Sequence, residues 1–371
     1  LSEGLVSSRN LNLDYLRGVS IVMVMLLHAL VLTDMHYDKE MVLFIERLSL
    51  GVPFFFILSG YVIALNYRKR LDHKSSLFIY FVNRGAKILP LYWLFLFLWY
   101  VFFYFVSEFD GIKIMPQNTE SLSQGSAPNY IFHLFFLQGF EPSRLNTLLD
   151  GDWSIINEVY FYILFPLIAR VVKDNTVRCI YLLCASYALA ICYSFYWARL
   201  DTLDGVIYYT FIPHLPEFLL GFLAFRITQH QSVARNISKY GNALFFTSSI
   251  LMLGFVDAKS TLLGSHHIFT IGFVAILVIL VLRSDYFLPW LGFISKLGRQ
   301  SYALYFTHLL LLKIAFVISE NFYEFSNVVT LGLNLFIVIP LSLLLSNFVF
   351  HNIDNFFVNK VKSIYHAKVT R

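Results

Sequence analysis

Apolar residues in this chain fall into long blocks, with polar residues confined to short stretches between them. Ten blocks of about 17 to 25 residues can be drawn, at roughly 13–32, 49–66, 88–107, 153–172, 178–197, 206–226, 241–256, 266–282, 300–318 and 328–350. A block of that length predicts a helix that crosses a bilayer, because lipid offers the backbone no partners and a helix satisfies its own hydrogen bonds. The expected fold class is therefore all-α, a polytopic transmembrane helical bundle of about ten spanning helices. An even number of crossings puts both termini on one side, and 21 of the 28 Lys and Arg fall on that side. Basic loops stay in the cytoplasm, so both termini are expected there. The longest connection, 108–152, contains the apolar run YIFHLFFLQGF at 130–140. Eleven residues are too few to cross, and a re-entrant or interfacial segment over the site is expected.

Composition then fixes the solvent. The chain is 58% hydrophobic and 18% aromatic, and only 14% of its residues are charged, against about 25% in soluble proteins. A nucleic-acid partner is not expected, and the bilayer is the first partner implied. Cys179, Cys184 and Cys192 share one apolar block, which predicts small buried hydrophobes; no disulfide framework or metal site is expected. The opening residues LSEGLVSSRN lack the basic, apolar and small-residue parts of a signal peptide, so the first span is expected to serve as the insertion signal. No internal repeat or hydrophilic linker divides the sequence, and residues 1–371 are expected to form a single membrane domain with no appended extracytoplasmic domain.

Ionisable residues inside the blocks are the candidate chemistry, since they are costly to place in lipid. Arg17 and His28 lie eleven residues apart, three helical turns, so they share one face at a separation of roughly 16 Å along the axis. Glu158 sits a turn and a half into its span. By the predicted topology it shares the outer half of the bilayer with His28. A carboxylate accepting from one imidazole nitrogen would make the other a better base, the preparation a histidine needs to take a proton from a hydroxyl. Arg84 and Lys87 lie on one face just before the third span, ahead of Pro90. The neighbouring Arg68, Lys69 and Arg70 read as topology signals. Ser59 and Gly60 suit close helix packing or a ligand contact. Trp153 reads as an interfacial anchor or a substrate platform, and His308 as a pore-lining group or an interhelical hydrogen bond. Tyr302, six residues from His308, points to another face. Glu217 is an intramembrane acid whose partner spacing does not name, and Lys313 is expected to snorkel.

Four stretches together resemble the acyltransferase 3 family of integral membrane proteins. They are LDYLRGVSIVMVMLLH at the first span, GVPFFFILSGYVI at 51–63, WSIINEVYFYILFPL at 153–167 and LGRQSYALYFTH at 297–308. The resemblance implies transfer of an acyl group, most often acetyl, to a hydroxyl of an envelope or extracellular polysaccharide. It implies acyl-CoA as donor substrate, no tightly bound cofactor, and a bacterial inner membrane. It also implies His28 and Glu158 as the catalytic pair, with Arg17, Arg84 and Lys87 at the donor. Lys87 departs from the family's Arg-x-x-Arg pattern and loses the guanidinium fork that suits phosphate. Ser59, Trp153, Glu217, Tyr302 and His308 are candidate pore or acceptor contacts. His214 stands where the family often has arginine. The alternative is a proton-coupled transporter or flippase of a glycan or lipid, for which intramembrane His and Glu would be relay groups.

Overall fold

The computed structural model describes residues 10–33, 35–67, 74–107, 127–198, 208–254, 265–282, 292–323 and 325–369. Among these there is no strand, and the chain is a helical bundle. In order run α1 (Leu11–Val31), α2 (Lys39–Leu48), α3 (Gly51–Tyr67), α4 (Lys74–Ser107), α5 (Ala127–Leu134), α6 (Asp152–Val172), α7 (Thr176–Ala198) and α8 (Phe211–Thr228). They are followed by α9 (Gln231–Gly254), α10 (Ser265–Leu282), α11 (Gly292–Arg299) and α12 (Ser301–Ile318). The last are α13 (Asn327–Leu333), α14 (Ile339–Val349) and α15 (Asn355–Val369), which run on continuously through π-helical turns at Asn334–Val338 and Phe350–Asp354.

Eight of the described helical stretches are long and apolar enough to cross a membrane. The seventh and eighth predicted blocks are occupied by α9, of 24 residues, and α10, of 18 residues. Three helices were not expected as separate elements. The first, α2, is a short amphipathic helix whose Asp38 cap accepts from the Met41 amide at 2.8 Å. The others are α11 and α15. A further difference is the length of α4, which starts at Lys74 and not at 88. Its 34 residues reach about 51 Å, well beyond a hydrocarbon core of about 30 Å. Arg84 and Lys87 thus sit on regular helix, where α15 packs alongside.

Close helix approach organises the centre. A Cβ placed on Gly60 would lie 2.0 Å from the Phe218 carbonyl oxygen, and one on Gly221 would lie 1.9 Å from that of Ile57. Only glycine at both positions allows α3 and α8 to come so near, as expected for small residues in membrane helices. Proline does a second piece of work. Pro166 has no N–H, which leaves the Tyr162 carbonyl without its helical donor, and the Tyr80 hydroxyl fills the gap at 2.9 Å. That bond ties α4 to α6 one turn from Arg84.

The 130–140 run does not cross. It forms the eight-residue α5 and then short 3₁₀ turns at Gln138–Phe140 and Pro142–Arg144. Side chains hold it down on α4 and α6. Tyr160 donates to the Phe136 carbonyl at 2.8 Å, and Gln138 donates to the Tyr92 hydroxyl at 2.9 Å and to Asp152 at 3.1 Å. Residues 108–126 of this connection, and the basic triplet Arg68, Lys69 and Arg70, lie outside the described residues. Cys179 is buried as expected, whereas Cys184 and Cys192 are exposed on α7, because one helix cannot turn all three positions inward.

Candidate functional site

A cavity of about 470 Å³ opens among α1, α3, α4, α6, α12 and the end of the last long helix. Four cations line it, Arg17, Arg84, Lys87 and Arg299, against two carboxylates, Glu158 and Asp354. Ser59 and Tyr302 line it as well, so six of the ten sequence-predicted site residues meet in one place.

Arg84 is held by aromatic rings. Its guanidinium carbon lies 5.2 Å from the Tyr67 ring centre and 5.6 Å from that of Tyr162, and its Nη2 donates to the Tyr67 hydroxyl at 3.3 Å. Stacking of this kind orients a planar cation without neutralising it. Among the described residues the buried Nε of Arg84 has no hydrogen-bond partner. Lys87 is placed differently from its sequence reading. Its ammonium is ion-paired with Asp354, and it also lies 5.8 Å from the Tyr302 ring centre. Asp354 closes the π-helical turn Phe350–Asp354, whose wider winding brings both Phe350 and Asp354 to the cavity wall.

Glu158 was expected to steer His28, and this pairing is not made. The carboxylate faces the cavity, accepting from Ser59 Oγ at 2.8 Å and from the Tyr162 hydroxyl. The reason is depth: Glu158 lies six residues past the start of α6, about 9 Å down its axis. The level of His28 is instead met by the turn before that helix, where the Asp150 carboxylate is within electrostatic reach of the imidazole.

The partner of His28 is His308. His28 Nδ1 lies 3.1 Å from His308 Nε2, and His308 Nδ1 lies 2.6 Å from the Leu304 carbonyl oxygen. A carbonyl can only accept, so His308 Nδ1 carries a proton. In the neutral ring His308 Nε2 is then an acceptor, and His28 Nδ1 is the donor to it. The network thereby assigns the lone pair of neutral His28 to Nε2. This is the preparation expected from a carboxylate, delivered by a second imidazole and a backbone oxygen. His308 thus serves as an interhelical hydrogen bond, one of its two sequence readings.

Beside this pair Lys313 is buried and bonded to Asp150 at 3.2 Å, so it does not snorkel. Snorkelling needs a path to water, and Asp150 supplies a closer partner. Tyr305 stands between the histidines and the cavity. Its hydroxyl donates to the Gly151 carbonyl at 2.8 Å and accepts from Ser154 at 2.8 Å; its ring centre is 5.9 Å from that of His308, and Tyr305 and Ser154 both line the cavity. The cavity therefore begins among cations and ends one side chain from the imidazole pair.

The remaining candidates form a separate group. Trp153 is buried, its ring centre 5.3 Å from His214 and 5.5 Å from Tyr208, so it is neither an interfacial anchor nor part of the cavity wall. Glu217 is buried one turn from His214, with His214 Nδ1 at 3.8 Å from its Oε1. That i,i+3 relation was available from spacing. Residues missed by sequence reasoning are Tyr67, Asp150, Tyr162, Arg299, Tyr305 and Asp354. Two signals existed: an acid in the apolar FHNID stretch, and an acid placed before the Trp153 motif. Among the described residues no cluster of three His, Cys, Asp or Glu gathers around one point.

Comparison with known proteins adds the following. The acyltransferase domain family matches residues 10–348. The acyltransferase MdmB of Streptomyces mycarofaciens is 29% identical over 143 residues, which are 38% of this chain and 34% of that protein. The chain thus spans about a third of the length of this relative. No solved structure matches.

Proposed function

Because the chain belongs to the acyltransferase domain family, we propose that it moves a small acyl group, acetyl, from cytoplasmic acyl-CoA to a hydroxyl of an envelope or extracellular polysaccharide. The observation that carries this reading is a cation-lined cavity whose Tyr305 wall packs against His308, the imidazole that fixes the tautomer of His28. Coenzyme A is a polyanion. Arg17, Arg84 and Arg299 supply donors for its phosphates, and Lys87, tied to Asp354, sets the wall against which it lies. The thioester arm then extends along the cavity toward Tyr305.

His28 Nε2 accepts the proton of the acceptor hydroxyl as that oxygen attacks the thioester carbonyl. The tetrahedral adduct collapses with loss of the coenzyme A thiolate, and the proton on Nε2 returns to the sulfur. The same lone pair could take the acyl group first, as an acyl-histidine that the hydroxyl then attacks. Both routes need Nε2 unprotonated, which the His308 link supports. Positive charge that develops on His28 is met by the nearby Asp150 carboxylate. The basic bias of the loops on the side of the termini supports a cytoplasmic donor, an outward acceptor and a bacterial inner membrane as the matching location.

The test is mass analysis of envelope and secreted glycans from cells making the parent chain or His28→Ala at equal membrane abundance. An added acyl mass that depends on His28 supports the reading and reveals the acceptor. Identical glycans from both, with both proteins inserted and acceptors present, would contradict it.

A further inference from the structure

Beyond the last residue matched by the family, 348, one face of the final helix carries a second, shallow and open depression, of about 540 Å³. It is lined by Asn352, Asn355, Phe356, Asn359, Lys360 and Ser363, together with His351. These residues recur at three- and four-residue spacing, which places them on one face. Asn355 and Asn359 also line the cation-lined cavity, so the two depressions are continuous along this helix.

Its chemistry is one-sided. Residues 355–371 contain no Asp or Glu; Asn352 donates to the Phe348 carbonyl at 2.8 Å and the Ser363 hydroxyl to that of Lys360 at 2.8 Å, so the carboxamides of Asn355 and Asn359, an ammonium and one ring carry the chemistry of the groove. Lys360 Nζ lies over the Phe356 ring, 5.4 Å from its centre, and the ring is 53% exposed. Carboxamides are the side chains that can pair in two points with the edge of adenine. An aromatic face stacks on a base whatever its sequence, and an ammonium meets phosphate as a point charge. From Asn355 to Ser363 the helix rises about 12 Å, a length suited to one nucleotide.

We propose that this groove on α15 is the subsite for the nucleotide half of the donor, its adenine and ribose phosphate, while the arginines of the cavity hold the pyrophosphate and the thioester arm passes inward. The inference rests on the acyl-CoA reading above. It assigns a ligand to a segment outside the family match and makes the last helix part of the donor site.

The experiment uses the full chain in nanodiscs. Binding of coenzyme A is measured by calorimetry, with adenosine 3′,5′-bisphosphate as competitor and S-acetylpantetheine as the donor lacking a nucleotide. The probe proteins are the parent, Asn359→Ala and Lys360→Gln; both positions are exposed, so folding should be little affected. The expected result is competition by the bisphosphate in the parent, with coenzyme A affinity about tenfold weaker in each variant, or about 1.4 kcal/mol. The preference for coenzyme A over S-acetylpantetheine falls by the same factor. Unchanged coenzyme A affinity in both variants would overturn the subsite and leave the acyl-CoA reading standing. Equal loss for both donors would also overturn it, by showing that the helix acts on the cavity and not on the nucleotide. A folded parent that binds no coenzyme A would overturn the donor reading itself.

Discussion

At one end of the cavity Arg17 faces three more cations and two carboxylates, whereas eleven residues further along the same helix His28 is paired with His308. The first region is open and carries an excess of positive charge, and its guanidinium at Arg84 is stacked on tyrosines rather than neutralised. In the second, the ionic groups are matched: Lys313 with Asp150, and the second imidazole with a backbone oxygen. An excess of charge near water can bind a polyanion and release it again. Matched groups in a more enclosed site hold the resting tautomer of a base until it takes up a proton. The difference suggests that binding and proton transfer are separated along α1 by roughly 16 Å.

Four substitutions would break or sharpen that contrast. The largest effect is expected from His28→Ala, which should lower acyl transfer by about 10² to 10⁴ while the protein still inserts, checked by product mass against membrane abundance. Next is Lys313→Met. It breaks the Lys313–Asp150 ion pair and should cost about 3 to 5 kcal/mol, read as a lower unfolding midpoint in detergent. Adding Asp150→Asn should restore much of the loss. Replacing the second imidazole by His308→Phe should reduce turnover by about 100-fold with little change in donor KM, because the lone pair of His28 is no longer assigned to Nε2. The smallest change belongs to the open end. Arg84→Ala should raise the donor KM by about tenfold, and Arg84→Lys should recover only part of it, since lysine lacks the planar fork.

The two regions were also unequally legible in the sequence. Block length gave the helices, and the eleven-residue spacing put Arg17 and His28 on one face, because both rest on helix geometry alone. The cation-lined cavity gathers Arg17, Arg84, Ser59 and Glu158 from four different helices, and the motifs had already singled out each of them. What pattern reading lost was depth across the bundle. Glu158 and His28 fall in the same predicted half, yet about 9 Å of helix rise separates the carboxylate from the turn that does meet His28. Lys313 and Asp150 are 163 residues apart in sequence and pair only after α12 packs against the turn before α6. Lys87 shows the same limit. Its partner Asp354 lies in a π-helical turn, whose extra residue shifts the register on which any spacing argument depends.

In the proposed function, donor and acceptor meet inside the bundle from opposite faces of the membrane. Vesicles of both orientations, prepared from cells that retain acceptor glycan, test it directly when labelled acetyl-CoA is supplied outside only. Inside-out vesicles, whose cytoplasmic face is exposed, should acquire label on glycan in the lumen, and right-side-out vesicles should not. Label appearing only in right-side-out vesicles would place donor and acceptor on the same face and contradict the account.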